Sequence, residues 1–233
     1  MAGHPPVFAG FDTNILPWRL DRILGLREPN EGIGYVNGFV LATGVRDELD
    51  WDVKCHDVDP YVDVYGEIAE AYWNQPIGSG RKSRLGLSTY REIRDIQQAA
   101  KVDSETGDDA IVEAYDDWQR GGRGQVMLFS NDRNFVELAQ SHTLLGQFVA
   151  LPRELPRTAT ASWDEIEELV YLLTVIFGII ELPGVSLLGV WGGKESRDWQ
   201  EERVMLQPRS PVLERELEGS LAIVESHERL GEG

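Results

Sequence analysis

The stretch QVMLFSNDRNF, residues 125–135, combines a strand, a polar turn and the beginning of a helix. Residues 125–129 are mainly apolar and do not alternate with polar residues, which is typical of a strand buried on both faces. The polar residues Ser130, Asn131 and Asp132 then end the strand, and residues 135–142 have the pattern of a short helix. A buried strand that turns directly into a helix favours an α/β fold.

The same pattern recurs in the first two-thirds of the chain. Residues 7–11 are an apolar run that ends at Asp12, and residues 148–151 form a third apolar run before Pro152. Helical spacing and capping patterns predict helices at residues 39–49, 57–73, 89–101 and 108–118. The sequence therefore predicts a three-layer α/β fold with a central parallel sheet flanked by helices.

A boundary is expected at Pro152 and Pro156, which divides the chain into a domain at residues 1–155 and a C-terminal extension at residues 156–233. Ser162 and Glu165 form a capping-box pattern that predicts an apolar helix at residues 163–182. An acidic tail follows at residues 214–233. The apolar run at residues 169–180 is shorter than a membrane span, so we expect a core or oligomer contact, with membrane contact as the alternative.

The charge of the chain restricts its partners. Forty acidic residues against 22 basic ones give a formal net charge of −18. Such a surface repels itself unless salt screens it, so we expect the salt-rich cytoplasm of a halophile, with an ordinary acidic protein as the alternative. Broad nucleic-acid binding needs a basic surface, and any RNA site must therefore be local.

Five basic residues lie close together, in and just after a predicted loop at residues 78–84. They are Arg81, Lys82, Arg84, Arg91 and Arg94. Arginine and lysine side chains bind phosphates, so this cluster is a candidate RNA-binding patch. The alternative is a solvated helix face whose cations balance neighbouring acids.

Cys55 is the single cysteine of the chain, so an intrachain disulfide cannot form. Its spacing from the histidines also argues against a zinc site. The first residues lack the basic and apolar segments of a signal peptide. A cytoplasmic, reducing location is therefore expected.

Four acidic residues occupy positions that a parallel sheet brings together. Asp12 and Asp132 follow predicted strands, Asp109 begins a predicted helix, and Glu48 lies on another. Strand ends and helix starts meet at one edge of such a sheet, where ligands bind. Clustered carboxylates repel one another unless a cation lies between them, and Mg²⁺ or Mn²⁺ prefers oxygen ligands. Each acid also has a structural interpretation, as a turn residue, a solvated helix residue or a helix cap.

These positions resemble the PIN domain nucleases. The resemblance covers roughly residues 6–152 and lies in four motifs, FDTN at 11–14, RDEL at 46–49, DAIVEA at 109–114 and LFSNDRNF at 128–135. It implies that Asp12, Glu48, Asp109 and Asp132 are metal ligands or surround them, with Asn14 and Ser130 as supporting residues. Asp108 is a rival to Asp109 for the third position.

The resemblance also implies a function. A PIN-type endoribonuclease binds Mg²⁺ or Mn²⁺ and hydrolyses RNA to products with 5′-phosphate and 3′-hydroxyl ends. The alternatives are a catalytically silent scaffold that binds RNA or a protein partner, and the toxin of a toxin–antitoxin pair. The C-terminal extension is the expected contact for a homo-oligomer or a protein partner.

Overall fold

The computed structural model describes residues 5–25, 35–50, 55–154, 157–191 and 202–231. Its helices are α1 Leu20–Leu24, α2 Thr43–Leu49, α3 Asp59–Tyr65, α4 Ser79–Asp95, α5 Asp108–Arg120, α6 Arg133–Ser141, α7 Trp163–Phe177 and α8 Pro211–Gly231. Its strands are β1 Val7–Phe11, β2 Gly38–Ala42, β3 Ala100–Val102, β4 Gln125–Ser130, β5 Leu145–Phe148, β6 Ile179–Leu182, β7 Val185–Trp191 and β8 Glu202–Pro208.

The chain divides into two units. Unit 1 comprises Met1–Val53 and Gly78–Ala159, and unit 2 comprises Lys54–Ile77 and Thr160–Gly233. The segment 54–77 therefore groups with the C-terminal part of the chain, whereas the sequence alone predicts it within the first domain. Pro156, part of the expected boundary, lies outside the described residues.

Unit 1 contains the predicted parallel sheet. Its five strands have the order β3-β2-β1-β4-β5, and every neighbouring pair is parallel. β1 lies in the centre and pairs with β4 so that Phe11 is opposite Phe129. Helices flank the sheet, which confirms the three-layer α/β fold.

Tyr115 on α5 ties the central strands together. Its ring is completely buried, and its hydroxyl donates a hydrogen bond to the Phe11 carbonyl at 3.2 Å. The same oxygen accepts a hydrogen bond from the Ala42 N–H at 3.1 Å. One side chain thus satisfies backbone groups at the ends of both β1 and β2.

The prediction of a helix over residues 39–49 is wrong in its first part. Residues 39–42 belong to β2, and the helix begins only at Thr43. Phe39, Val40 and Leu41 are each at most 2% exposed, because β2 is an interior strand covered on both faces. In a short run where every residue is apolar, the sequence has no periodicity, so a buried strand cannot be distinguished from a buried helix.

The predicted loop at 78–84 and the helix start at Thr89 are also wrong, because α4 runs unbroken from Ser79 to Asp95. The Thr89 hydroxyl is buried and donates to the Leu85 carbonyl at 3.1 Å, so it does not cap a helix. Thr89 and Glu92 have the spacing of a capping box, on which the predicted helix start depends, but Glu92 instead binds Arg19 at 2.6 Å. Tertiary packing has overridden the local capping pattern.

Two strands differ from the predicted positions. Residues 100 and 101, predicted as the end of a helix, belong to β3, which pairs with β2. The third predicted strand, residues 148–151, is displaced to Leu145–Phe148, where β5 pairs with β4. Both are short edge strands, whose position depends on the neighbouring strand more than on their own sequence.

Unit 2 is a small α/β unit of its own. The helix predicted at 163–182 ends at Phe177, and Gly178 adopts a positive φ of 88°. Residues 179–182 form β6, and β6, β7 and β8 make an antiparallel sheet in that order. The Ser162–Glu165 capping box is confirmed. The predicted acidic tail lies within α8 as far as residue 231.

The segment 57–73 is part of this unit. The sequence predicts it as one helix, but α3 ends before Gly66, whose φ is 72°, and a 3₁₀ turn continues to Tyr72. Tyr72 is buried with Leu188 and Val190 in the core of the unit. Gln75 binds both backbone groups of Trp191, at 2.6 and 2.7 Å, and so joins this segment to β7.

Across the described ranges, no helix combines the length and apolar character needed to cross a membrane.

We expect Tyr115→Phe to lower the free energy of unfolding by about 1 to 3 kcal/mol, because the buried Ala42 N–H loses its acceptor. Urea denaturation in high salt measures this change. Tyr35→Phe is the matched control, since Tyr35 is 78% exposed. Equal stability of the two variants would contradict a structural role for the Tyr115 hydroxyl.

Candidate active site

A pocket of about 570 Å³ lies at the edge of the unit 1 sheet where β1 and β4 end. Four carboxylates line it, those of Asp12, Glu48, Asp108 and Asp132. Asp12, Glu48 and Asp132 are predicted metal ligands from three separate parts of the sequence, and Asp108 is the predicted rival to Asp109. The pocket is therefore the candidate active site.

Asp12 is the most deeply placed of these acids. It follows β1 directly, is 5% exposed, and its N–H donates to the Phe129 carbonyl at 3.0 Å. Burial raises the pKa of its carboxyl to about 6, and the nearby charges of Asp108 and Glu48 act in the same direction. A buried carboxylate among like charges is unfavourable and favours the arrival of a cation.

Ser130, at the end of β4, holds Asp12 in place. Its fully buried hydroxyl donates to Asp12 Oδ2 at 2.5 Å and accepts the Asp132 N–H at 2.8 Å. The hydrogen bond from Ser130 opposes the effect of burial on the pKa of Asp12. The serine thus links the ends of the two central strands and orients two acids at once.

Asp132 combines both roles that its sequence position suggests. It is the N-cap of α6, and its Oδ1 accepts the Asn134 N–H at 2.8 Å. It also lines the pocket. Asn14, expected to support the acids, instead accepts a hydrogen bond from the Asn131 N–H at 3.3 Å and so fixes the turn before Asp132.

Glu48 positions the turn that precedes α5. Its Oε1 accepts the Gly107 N–H at 2.8 Å, and its Oε2 accepts a hydrogen bond from the Thr13 hydroxyl. Gly107 has a φ of 100°, a conformation that favours glycine. Glu48 therefore joins the polar turn after β1 to the start of α5.

Asp108 and Asp109, the two rivals for the third acidic position, differ in their relation to the pocket. Asp108 lines the pocket, whereas Asp109 is not among its lining residues. Consecutive helix residues point about 100° apart, so only one of the two can face the pocket. Burial is the largest cause that raises the pKa of the Asp108 carboxyl. The negative charges of Glu48, Asp132 and Asp109 raise it further.

The five predicted RNA-binding cations do not form one exposed patch. Of these five described residues, Lys82 alone lines the pocket. Arg81 is 2% exposed and cannot belong to an RNA-contacting surface, and Arg94 pairs with Asp95 at 2.6 Å. Burial, with the charge of Arg94, lowers the pKa of Arg91 to about 10. Arg84 is half-buried.

Other residues of the pocket have no sequence signal that marks them. Ser79 and Ser83 lie beside Lys82 on the first turns of α4, and Trp18 and Leu151 add apolar surface. Residues 79, 82 and 83 face the same side only when they are helical, so the prediction of a loop at 78–84 does not place them together.

Among the described residues, no three His, Cys, Asp or Glu side chains are grouped so that they could hold a metal ion together. Carboxylate oxygens are nevertheless the ligands that Mg²⁺ and Mn²⁺ prefer, and Mg²⁺ is often held by one or two carboxylates with water in the other positions. The donor set of the pocket fits such an ion, with fewer direct ligands than the four that the resemblance implies.

No protein-family model matches the sequence, and no curated protein matches it significantly. A functional assignment therefore depends on the chemistry of the pocket and on the resemblance of its motifs.

We expect Asp12→Asn to raise the free energy of unfolding at neutral pH in buffer containing EDTA. The pKa of Asp12 is about 6 in the folded protein, against 3.8 for an unperturbed aspartate. The folded protein therefore holds the proton more tightly than the unfolded chain, and wild-type stability falls as the pH rises between these two pKa values. Asparagine carries no charge. The variant should gain about 1 to 3 kcal/mol above pH 6 and nothing below about pH 4.

Urea unfolding at several pH values measures this difference. A gain that is the same at every pH would show that the charge of Asp12 is not the cause.

Proposed function

We propose that unit 1 is a metal-dependent endoribonuclease of the PIN type, which hydrolyses RNA phosphodiester bonds. The observation that carries this proposal is the buried Asp12, whose pKa is raised to about 6, facing three further acids in one pocket. Perturbed carboxyl groups clustered in a pocket are a mark of functional sites. The motif resemblance supplies the reaction and the substrate.

In this proposal Asp12 and Asp108 would hold Mg²⁺ or Mn²⁺, with Asp132 as a further acid in the same pocket. When bound, the divalent ion supplies charge stabilisation to a phosphate and lowers the pKa of a water molecule. Two direct carboxylate ligands agree with the absence of a three-residue metal group in the described part of the chain. Glu48 and Ser130 are positioning residues, since their hydrogen bonds fix the turn before Asp108 and the carboxyl of Asp12.

Lys82 is the proposed phosphate-binding residue. It lines the same pocket as the acids, and the hydroxyl of Ser79 on the same helix, α4, can donate to a phosphate oxygen. A protein with a net charge of −18 repels RNA over most of its surface. A single cation at the pocket would therefore set where a phosphate can approach.

The proposed setting is a reducing, salt-rich cytoplasm. The lone Cys55 and the acidic composition support it, because high salt screens the repulsion between the protein and RNA.

One observation favours a second candidate, the catalytically silent scaffold. The four-ligand metal site that the resemblance implies needs at least three acids around one ion, and the described residues contain no such group. A scaffold would keep the pocket and its hydrogen bonds but would bind no divalent ion.

Metal binding and RNA cleavage by a pair of neighbouring variants test the proposal. We expect Asp108→Asn to weaken Mn²⁺ binding at least about tenfold in calorimetry and to lower cleavage of a generic RNA by about 100-fold. Asp109→Asn is the matched control, since Asp109 lies outside the pocket lining, and it should retain both.

Equal losses in the two variants would contradict the assignment of Asp108. No Mn²⁺ binding to the wild-type protein in high salt would favour the scaffold.

We expect Lys82→Met to raise the KM for RNA about tenfold with a smaller effect on kcat, because the lysine binds phosphate and not the metal. Lys101→Met is the control, since Lys101 on β3 pairs with Asp103 and is not among the residues that line the pocket. A fall in kcat with unchanged KM would show that Lys82 acts in the chemical step instead.

A further inference from the structure

Helix α7 in unit 2 exposes an apolar face. One side of the helix packs on the antiparallel sheet of the unit, where Thr174 and Val175 are buried. Elsewhere on the helix, Trp163 is 84% exposed, Leu169 55% and Phe177 70%. Large apolar side chains at this exposure, grouped on one helix, are uncommon on a monomer.

These side chains share one face because their spacing is helical. Residues 163, 166, 170, 173 and 177 follow one another at steps of three and four, and residue 169 lies beside them. We call this set the α7 face. Its four most exposed members present on the order of 500 Å² of apolar surface, as large as the largest patch on a typical monomer.

We propose that the α7 face is the contact surface for a second copy of this chain, with the two helices antiparallel about a two-fold axis. Two such faces together bury about 1000 Å², which is the area at which specific interfaces begin. The proposal does not depend on the function proposed for unit 1.

The charge distribution on α7 favours the antiparallel orientation of two copies. Four acids, Asp164, Glu165, Glu167 and Glu168, lie in the first six residues of the helix, and residues 169–177 carry no charge. An antiparallel pair places the acidic half of one helix beside the uncharged half of the other. A parallel pair would place the eight acids side by side, and their repulsion would oppose association.

The side-chain sizes are also compatible with a two-fold axis. Trp163 and Phe177 lie at the two ends of the helix, about 21 Å apart, and Val170 is at the midpoint. In an antiparallel pair each Trp163 lies near Phe177 of the other copy, and the two Val170 side chains face each other at the axis. The same surface patch serves both copies, as a two-fold interface requires.

A lipid surface is a poorer occupant of the α7 face. Residues 163–177 contain no Lys or Arg, so an anionic membrane gains no electrostatic attraction and is repelled by the four acids.

Sedimentation of the full chain in high salt tests the association. We expect a species of twice 26.2 kDa, which is 52.4 kDa. Leu169→Glu should raise the dimer dissociation constant at least about tenfold, because a charge would enter the contact. Ile96→Glu is the matched control, since Ile96 is 75% exposed in unit 1, and it should leave the dimer unchanged. Circular dichroism confirms that both variants fold.

Cysteine cross-linking tests the orientation. Under mild oxidation Val170→Cys should form a disulfide-linked dimer, whereas Trp163→Cys should not, because its two copies lie at opposite ends of the interface. The wild-type protein, whose single Cys55 is buried, gives the background.

Three results would overturn the proposal. They are a monomer at every concentration, a dimer that Leu169→Glu does not weaken, and cross-linking through residue 163 but not through residue 170. Flotation of the wild-type chain with phosphatidylserine vesicles, without self-association, would assign the α7 face to a membrane and overturn it as well.

Discussion

The parallel pairing of β1 with β4 is the constraint on which the rest of unit 1 depends. With Phe11 opposite Phe129, the next residues of the two strands, Asp12 and Ser130, end at the same edge of the sheet and meet there. A shift of one strand by one residue would turn its polar side chain to the other face of the sheet, away from its partner. The pocket therefore exists only in this register, and the buried aromatic side chains of β1 and β4 maintain it.

Burial of the Asp12 carboxylate is unfavourable, and hydrogen bonds from two neighbouring residues compensate part of its cost. The Ser130 hydroxyl and the Thr13 N–H stabilise the carboxylate, and Asp108 and Glu48 destabilise it. The balance leaves the pKa of Asp12 at about 6, so the group is still largely charged at neutral pH. Such a carboxylate gains more from a bound cation than an exposed one does, because less water competes for its oxygens.

The two units have opposite surface features. Unit 1 concentrates negative charge in a pocket, where a divalent ion can compensate it, and unit 2 exposes an apolar helix face, which another protein surface can cover. In a chain with a net charge of −18, neither feature can be assessed from the average composition. Each becomes visible only when the side chains are placed around their helices and strands.

The sequence by itself determined the α/β class, the central strands β1 and β4, and the positions of Asp12, Ser130 and Asp132. These follow from short-range patterns, since an apolar run that ends in polar residues marks the end of a buried strand. Tertiary structure decided the rest, because it depends on long-range contacts. The apolar run of β2 fits a helix or a strand equally well, and it becomes a strand because its neighbours bury both its faces. Likewise Asp108, and not Asp109, faces the pocket because the rotation of α5 about its axis is set by the burial of Tyr115 against β1 and β2.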